Sequence, residues 1–134
     1  MGPKMSNKQG FTLIELLIVI VILGILAALV IPKVSNTTYR SYFAAMEADL
    51  KNLASQQEIY YASEYSYTAE KSDLAFISSR DVSISVNADS EDWSATATHV
   101  ALEPIEGCFI YHGSIPIPTL LVTPSAPDEV ACTR

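Results

Sequence analysis

Three sets of side chains in this 134-residue chain are of types that do chemistry. One is a lone carboxylate, Glu15, set in an apolar run from Phe11 to Ile31 that contains no Lys, Arg or His. Another is a pair of thiols, Cys108 and Cys132. The last is a scatter of polar ligating groups: His99, His112, the cluster Asp89-Ser90-Glu91-Asp92, and Asp128-Glu129. Cys108 and His112 have the makings of a nucleophile and its base. Four residues along a strand, however, places them on one face roughly 13 Å apart, and no supporting motif accompanies them. Hard cations favour oxygen-rich clusters, yet these clusters read as solvated turns. The chain is therefore read as a non-enzyme, with no metal site and no cofactor.

Glu15 demands an explanation. A carboxylate inside a membrane helix costs about 2.5–3.5 kcal/mol on insertion scales, so the charge needs a partner, and the run supplies no cation. Cutting the chain before Phe11 would create one, an α-amino group in the same apolar layer. A helix cannot fold its first residue back onto its fifth, so this pairing is expected between neighbouring chains. The element that must position it is a helix. Phe11 to Ile31 is about 21 residues, interrupted only by Thr12, Glu15 and Gly24. At 1.5 Å per residue it spans roughly 31 Å, the thickness of a bilayer core.

The string Lys8-Gln9-Gly10-Phe11-Thr12-Leu13-Ile14-Glu15-Leu16, with the apolar run, Gly24 and Pro32 behind it, closely resembles the leader and N-terminal helix of type IV pilins and pseudopilins. The resemblance is tight over Lys8–Lys33. It implies that a prepilin peptidase cuts between Gly10 and Phe11 and that the same enzyme N-methylates the Phe11 amine. It further implies that Glu15 neutralises the Phe11 amine of an adjacent subunit, that the helix forms a filament core, and that Gly24 to Pro32 is a kink site.

Charge and compartment agree with this. The formal net charge is −7. Loss of residues 1–10 removes Lys4 and Lys8 and no acid, leaving −9. Such a surface excludes direct nucleic-acid binding on electrostatic grounds. Lys4 and Lys8 place the N-terminus on the cytoplasmic side, and no A-x-A-like site follows the apolar run, so the run is retained. Met5 offers an alternative start. An even number of cysteines suits an exported segment. If joined, they close a loop of about 25 residues, a stabilisation of roughly 3–4 kcal/mol. Resemblance to the disulfide-closed C-terminal region of pilins supports that pairing. Major pseudopilins of type II secretion bind calcium in the corresponding loop. Here Asp128-Glu129 lies beside Cys132, and a disulfide already does that work.

Beyond Pro32 the helical pattern resumes. Tyr39, Phe43, Met46, Leu50, Leu53, Gln57 and Tyr60 recur at spacings of 3 and 4, one apolar stripe on a helix reaching about Ser63. Glu47, Asp49, Lys51 and Glu58 are assigned to the opposite, solvated face. The tyrosines along and beyond the stripe are read as packing and surface residues, not a conduction path. A polar connector, 64–81, follows, anchored by Leu74, Phe76 and Ile77. Alternation then predicts strands at Val82–Val86, at Trp93 to about Leu102 and at Cys108–His112. The tail holds Pro116, Pro118, Pro124 and Pro127, so at most Leu120-Leu121-Val122 adds an edge strand.

The expected fold is α+β: a long N-terminal helix, its first half transmembrane or filament core, packed on a small antiparallel sheet, pilin-like. The expected organisation is a cleaved leader (1–10), a transmembrane and polymerisation segment (11–32), and an amphipathic half-helix with a β domain (33–134). The resemblance implies a structural subunit of a type IV pilus, with a type II secretion pseudopilus as the alternative. Expected partners are identical subunits, the prepilin peptidase and methyltransferase, the inner-membrane assembly machinery and, before assembly, the membrane. The precursor would sit in the inner membrane and the product in an extracellular filament.

Overall fold

The structure is a computed structural model that describes residue 2, residues 10–114 and residues 122–133, with the backbone alone at 31–35. The leader lysines, Pro116, Pro118, Leu120 and Leu121 lie outside the described residues. One α-helix, α1 (Leu13–Glu64), accounts for 52 residues. The chain divides into two units, Met1–Thr38 and Tyr39–Arg134, and α1 contributes to both. The backbone is helical through Gly24 and Pro32.

In the second unit, α1 from Tyr39 onward packs on a four-stranded antiparallel meander in the order β1-β2-β3-β4. The strands are β1 (Val82–Ala88), β2 (Trp93–His99), β3 (Cys108–His112) and β4 (Ala131–Cys132). Register places Ile84 against Ala97, Ala97 against Cys108 and Cys108 against Cys132. Phe43, Met46, Leu50, Leu53 and Gln57 of the stripe are fully buried. The four apolar ones pack with Val82, Ile84, Trp93, Ala95, Ala97, Cys108 and Ile110 in one core. Period 3.6 meets period 2 across this interface, as the sequence pattern required.

Four expectations need correction. Asp49 is not on the solvated face: it is 4% exposed. It lies three residues after Met46 and four before Leu53, within the buried arc. Its charge is met by the backbone N–H of Ser79 at 2.7 Å and the Ser79 hydroxyl at 2.8 Å. A helix carboxylate thus ties down the connector. Ile77 is no anchor, being 92% exposed while Leu74 is buried. β2 stops at His99, because Leu102 N–H turns back to the His99 carbonyl at 3.0 Å and Val100 N–H bonds Asp81 O at 3.1 Å. The fourth strand is Ala131–Cys132, and Val122 belongs to no strand. Pairing across Cys108 and Cys132 draws the chain end onto the sheet.

α1 ends without a glycine. Tyr65 takes the left-handed conformation at φ 55° and its N–H closes on Tyr61 O at 2.9 Å. Gln57 then fixes the departing chain through both amide atoms, donating to Thr68 O at 2.6 Å and accepting from Thr68 N–H at 3.2 Å. Gly107 is required where it stands, since a Cβ there would meet Ala97 O at 2.5 Å.

Asp49→Ala strands the Ser79 N–H and hydroxyl and is expected to lower unfolding stability by about 2 kcal/mol. Lys51→Ala, two positions on and exposed, is expected to stay within about 0.5 kcal/mol of the parent. Urea unfolding of the detergent-solubilised chain measures both.

Candidate functional site

In the first unit the helix does not begin at Phe11. Gly10, Phe11 and Thr12 are non-helical and exposed, and α1 starts at Leu13. The reason is local. Thr12 N–H donates to Glu15 Oε2 at 2.8 Å, the Thr12 hydroxyl donates to the same oxygen at 2.8 Å, and Glu15 N–H reaches back to Thr12 Oγ1 at 3.3 Å. This is a reciprocal capping box, Thr-x-x-Glu, which satisfies otherwise orphaned donors of the first turn. A negative group in that turn also complements the helix dipole.

The expectation that Glu15 finds no partner inside its own segment is therefore corrected. Uncharged donors at the helix start, not an opposite charge, hold one carboxylate oxygen. Oε1 accepts no hydrogen bond among the described residues. Thr12 is the partner that a charge-based reading passes over, although Thr12-Leu13-Ile14-Glu15 spells the capping signal.

Behind the cap, Leu13–Val30 gives 18 residues of apolar helix with no burial within the chain. By length and composition it can cross a membrane, with about 27 Å of rise. Gly24 has open space around it, and the side chain of Pro32 lies outside the described residues.

The cysteines lie in the second unit. Cys108, buried on β3, is bonded to Cys132 on β4, with Cα atoms 4.1 Å apart. Cys108 is thus no nucleophile. The chain end is pinned further by Gly107 N–H to Thr133 Oγ1 and Thr133 N–H to Gly107 O, both 3.0 Å. His112 Nδ1 lies 2.8 Å from Asp128 Oδ1, and Asp128 N–H bonds Tyr111 O at 2.7 Å. His99 stacks on Tyr42 at 4.1 Å. The two histidines serve different ends of β2 and β3, so they do not converge on one ligand.

The acidic clusters are likewise committed to structure. Asp89 Oδ1 accepts the N–H groups of Glu91 and Asp92 at 2.9 and 2.8 Å, and these bonds hold its carboxyl below the usual range. Among the described residues no group of three or more His, Cys, Asp or Glu could hold a metal. A groove of about 410 Å³ between Glu47, Lys51 and Ala126–Val130 is lined by both signs of charge, with Lys51 bonded to Glu47 at 2.8 Å. Tyr67 is buried, stacks on Tyr61 at 4.7 Å and donates to Glu58 at 3.0 Å. Burial first, and the Glu58 carboxylate second, push its hydroxyl up to about 12.

Comparison with known proteins bears on the N-terminal half-site. A family profile described as "Prokaryotic N-terminal methylation motif" matches residues 5–31. The chain is 37% identical over 68 residues to the type II secretion system core protein G of Pseudomonas aeruginosa, covering 51% of this chain and 48% of that one. It is 43% identical over 70 residues to the type IV wide pilus major component PilA4 of Thermus thermophilus, covering 52% and 53%. It is 36% identical over 74 residues to the type IV major pilin protein PilA of Myxococcus xanthus, covering 55% and 34%. The matches span about half the length of the first two relatives and a third of the last.

Thr12→Ala is expected to weaken the helix start by about 1 kcal/mol, so amide exchange at Glu15, whose N–H loses Thr12 Oγ1, quickens roughly fivefold in micelles while Thr12→Ser stays close to the parent. Tyr67 gives a pH signature. Its folded value lies above the unfolded one near 10, so its contribution is full below about pH 10 and is lost as pH rises through about 12. Alkaline unfolding of Tyr67→Phe should lack that component of the loss.

Proposed function

From an N-terminal segment that carries the methylation motif of the type IV pilin and pseudopilin family, we propose that this chain is a subunit of a type IV pilus. It is a structural filament subunit, and its activity is polymerisation. The observation that carries the reading is the conjunction at one end of the chain: Gly10-Phe11 in non-helical backbone, a capped Glu15, and 18 apolar helical residues with no burial of their own.

In this reading the leader is removed between Gly10 and Phe11 by a prepilin peptidase, and the new amine is methylated. Before assembly the apolar helix holds the subunit in the inner membrane, N-terminus cytoplasmic. On assembly it moves from lipid into a core of neighbouring helices. Glu15 then meets the Phe11 amine of the next subunit through Oε1, while Oε2 stays with Thr12. Association of one face with a different face of the next copy does not close, so the product is an open helical filament. Gly24 and Pro32 lower the helix propensity of the segment between them, which would let it adapt to packing in the filament. The Cys108–Cys132 bond keeps the exported domain closed.

A second reading, a type II secretion pseudopilin, is favoured by the likeness to core protein G. It uses the same parts but ends in a periplasmic pseudopilus.

Electron microscopy with mass spectrometry of sheared filaments tests the proposal. Long surface filaments whose subunit begins at methylated Phe11, two hydrogens light for the disulfide, are the expected result. A processed form confined to the envelope would select the secretion pseudopilin, and an uncut chain would overturn both. Glu15→Ala is expected to insert into the membrane but to yield several-fold fewer filaments.

A further inference from the structure

The domain from Tyr39 onward exposes two large apolar side chains on a single loop. Val100 is 74% and Ile105 67% exposed, with Pro104 exposed between them. This loop, 100–107, joins β2 to β3. Two contacts place it at the end of the domain where the chain arrives from the apolar segment. Tyr39, the first residue of the domain, donates its hydroxyl to Glu106, and Tyr42 stacks on His99 at the end of β2. The other end of β2, at Trp93, is about 20 Å away along the strand, beside Tyr67 and the Asp89–Asp92 turn. Eight residues lie between Val30 and Tyr39, so Tyr39 stays within about 30 Å of the end of the apolar segment whatever the path between them.

We propose that the 100–107 loop is a lipid-contacting surface, with Val100, Pro104 and Ile105 resting on the zwitterionic phospholipid headgroups of the bilayer that anchors the subunit. The inference rests on the membrane-anchored precursor described above. Two aliphatic side chains and a proline are far too little for a specific protein interface. A bilayer is different, because the eight residues between Val30 and Tyr39 make the encounter intramolecular, so that a weak and reversible contact suffices. Tyr39, partly exposed beside the loop, is of the residue type that favours the headgroup level.

The charges select the lipid. Glu106 is engaged by Tyr39 and by Glu103 N–H at 3.1 Å, and the loop has no Lys or Arg of its own, so apolar contact drives the association and anionic lipid opposes it. The contact would hold the domain down on the membrane until the subunit is extracted.

The test is NMR of the isotope-labelled full chain at one copy per nanodisc, in phosphatidylcholine doped with a gadolinium-headgroup lipid. Amide signals of Val100 and Ile105 should broaden at least threefold more than those of Tyr65 and Asp92. Val100→Ser with Ile105→Ser should abolish the difference without lowering the melting temperature. Equal broadening at both ends of the domain in a chain that does enter the disc overturns this inference and leaves the anchored precursor standing. A chain that fails to enter discs overturns both. Preferential broadening that appears only with two or more copies per disc assigns the loop to a second copy and overturns the lipid contact.

Discussion

An 18-residue apolar helix that none of the described residues buries is the constraint on which the rest of the molecule depends. Side chains of this kind are unfavourable in water, so the helix calls for apolar surroundings, a membrane or other helices, to cover it. Everything distinctive about the chain follows from that choice of surroundings. Its backbone donors must be satisfied internally, which the helix does and the Thr12–Glu15 box completes at the exposed end.

The second unit solves an ordinary small-domain problem. Its core contains one tryptophan, one helix phenylalanine and a handful of aliphatic side chains, and domains of this size bury too little surface to be comfortably stable. Hence the covalent tie from β3 to β4 and the polar clasps at Asp49–Ser79, Gln57–Thr68 and Gly107–Thr133. Each clasp fixes a connector or terminus, not a strand, because strands already satisfy their own backbone groups.

The sequence made legible whatever has a period or a charge. The stripe from Phe43 to Leu53, the three long strands and the apolar segment were all readable because buried faces repeat every 3.6 or 2 residues. Two things escaped. Asp49 was read by its charge, but a carboxylate can sit in a core arc when N–H and O–H donors from a distant connector reach it, and no local pattern announces Ser79. Thr12 escaped for a related reason: Glu15 posed an electrostatic question, and its immediate answer was a hydrogen bond three residues away. β4 was hidden because two residues have no period, and only the register of Cys108 opposite Cys132 puts them on the sheet.

Why Glu15 should matter to assembly follows from the energetics of the transfer. Moving a helix from lipid to a bundle of like helices gains no hydrophobic free energy, since acyl chains are as apolar as leucine side chains. The drive must come from packing and from polar contacts that lipid cannot offer. In the described segment 10–30 the only charged side chain is Glu15. Its cap leaves it tolerable in the single chain, with Oε2 bonded and Oε1 open among the described residues. A cation supplied by a neighbour would complete it, and the bond is worth more in the dry interior of a bundle than at a wet surface. In the proposed filament, a carboxylate that is costly in the membrane and completed by a neighbour would bias the equilibrium toward assembly, and Thr12 would set the size of that bias by how well it serves the carboxylate alone.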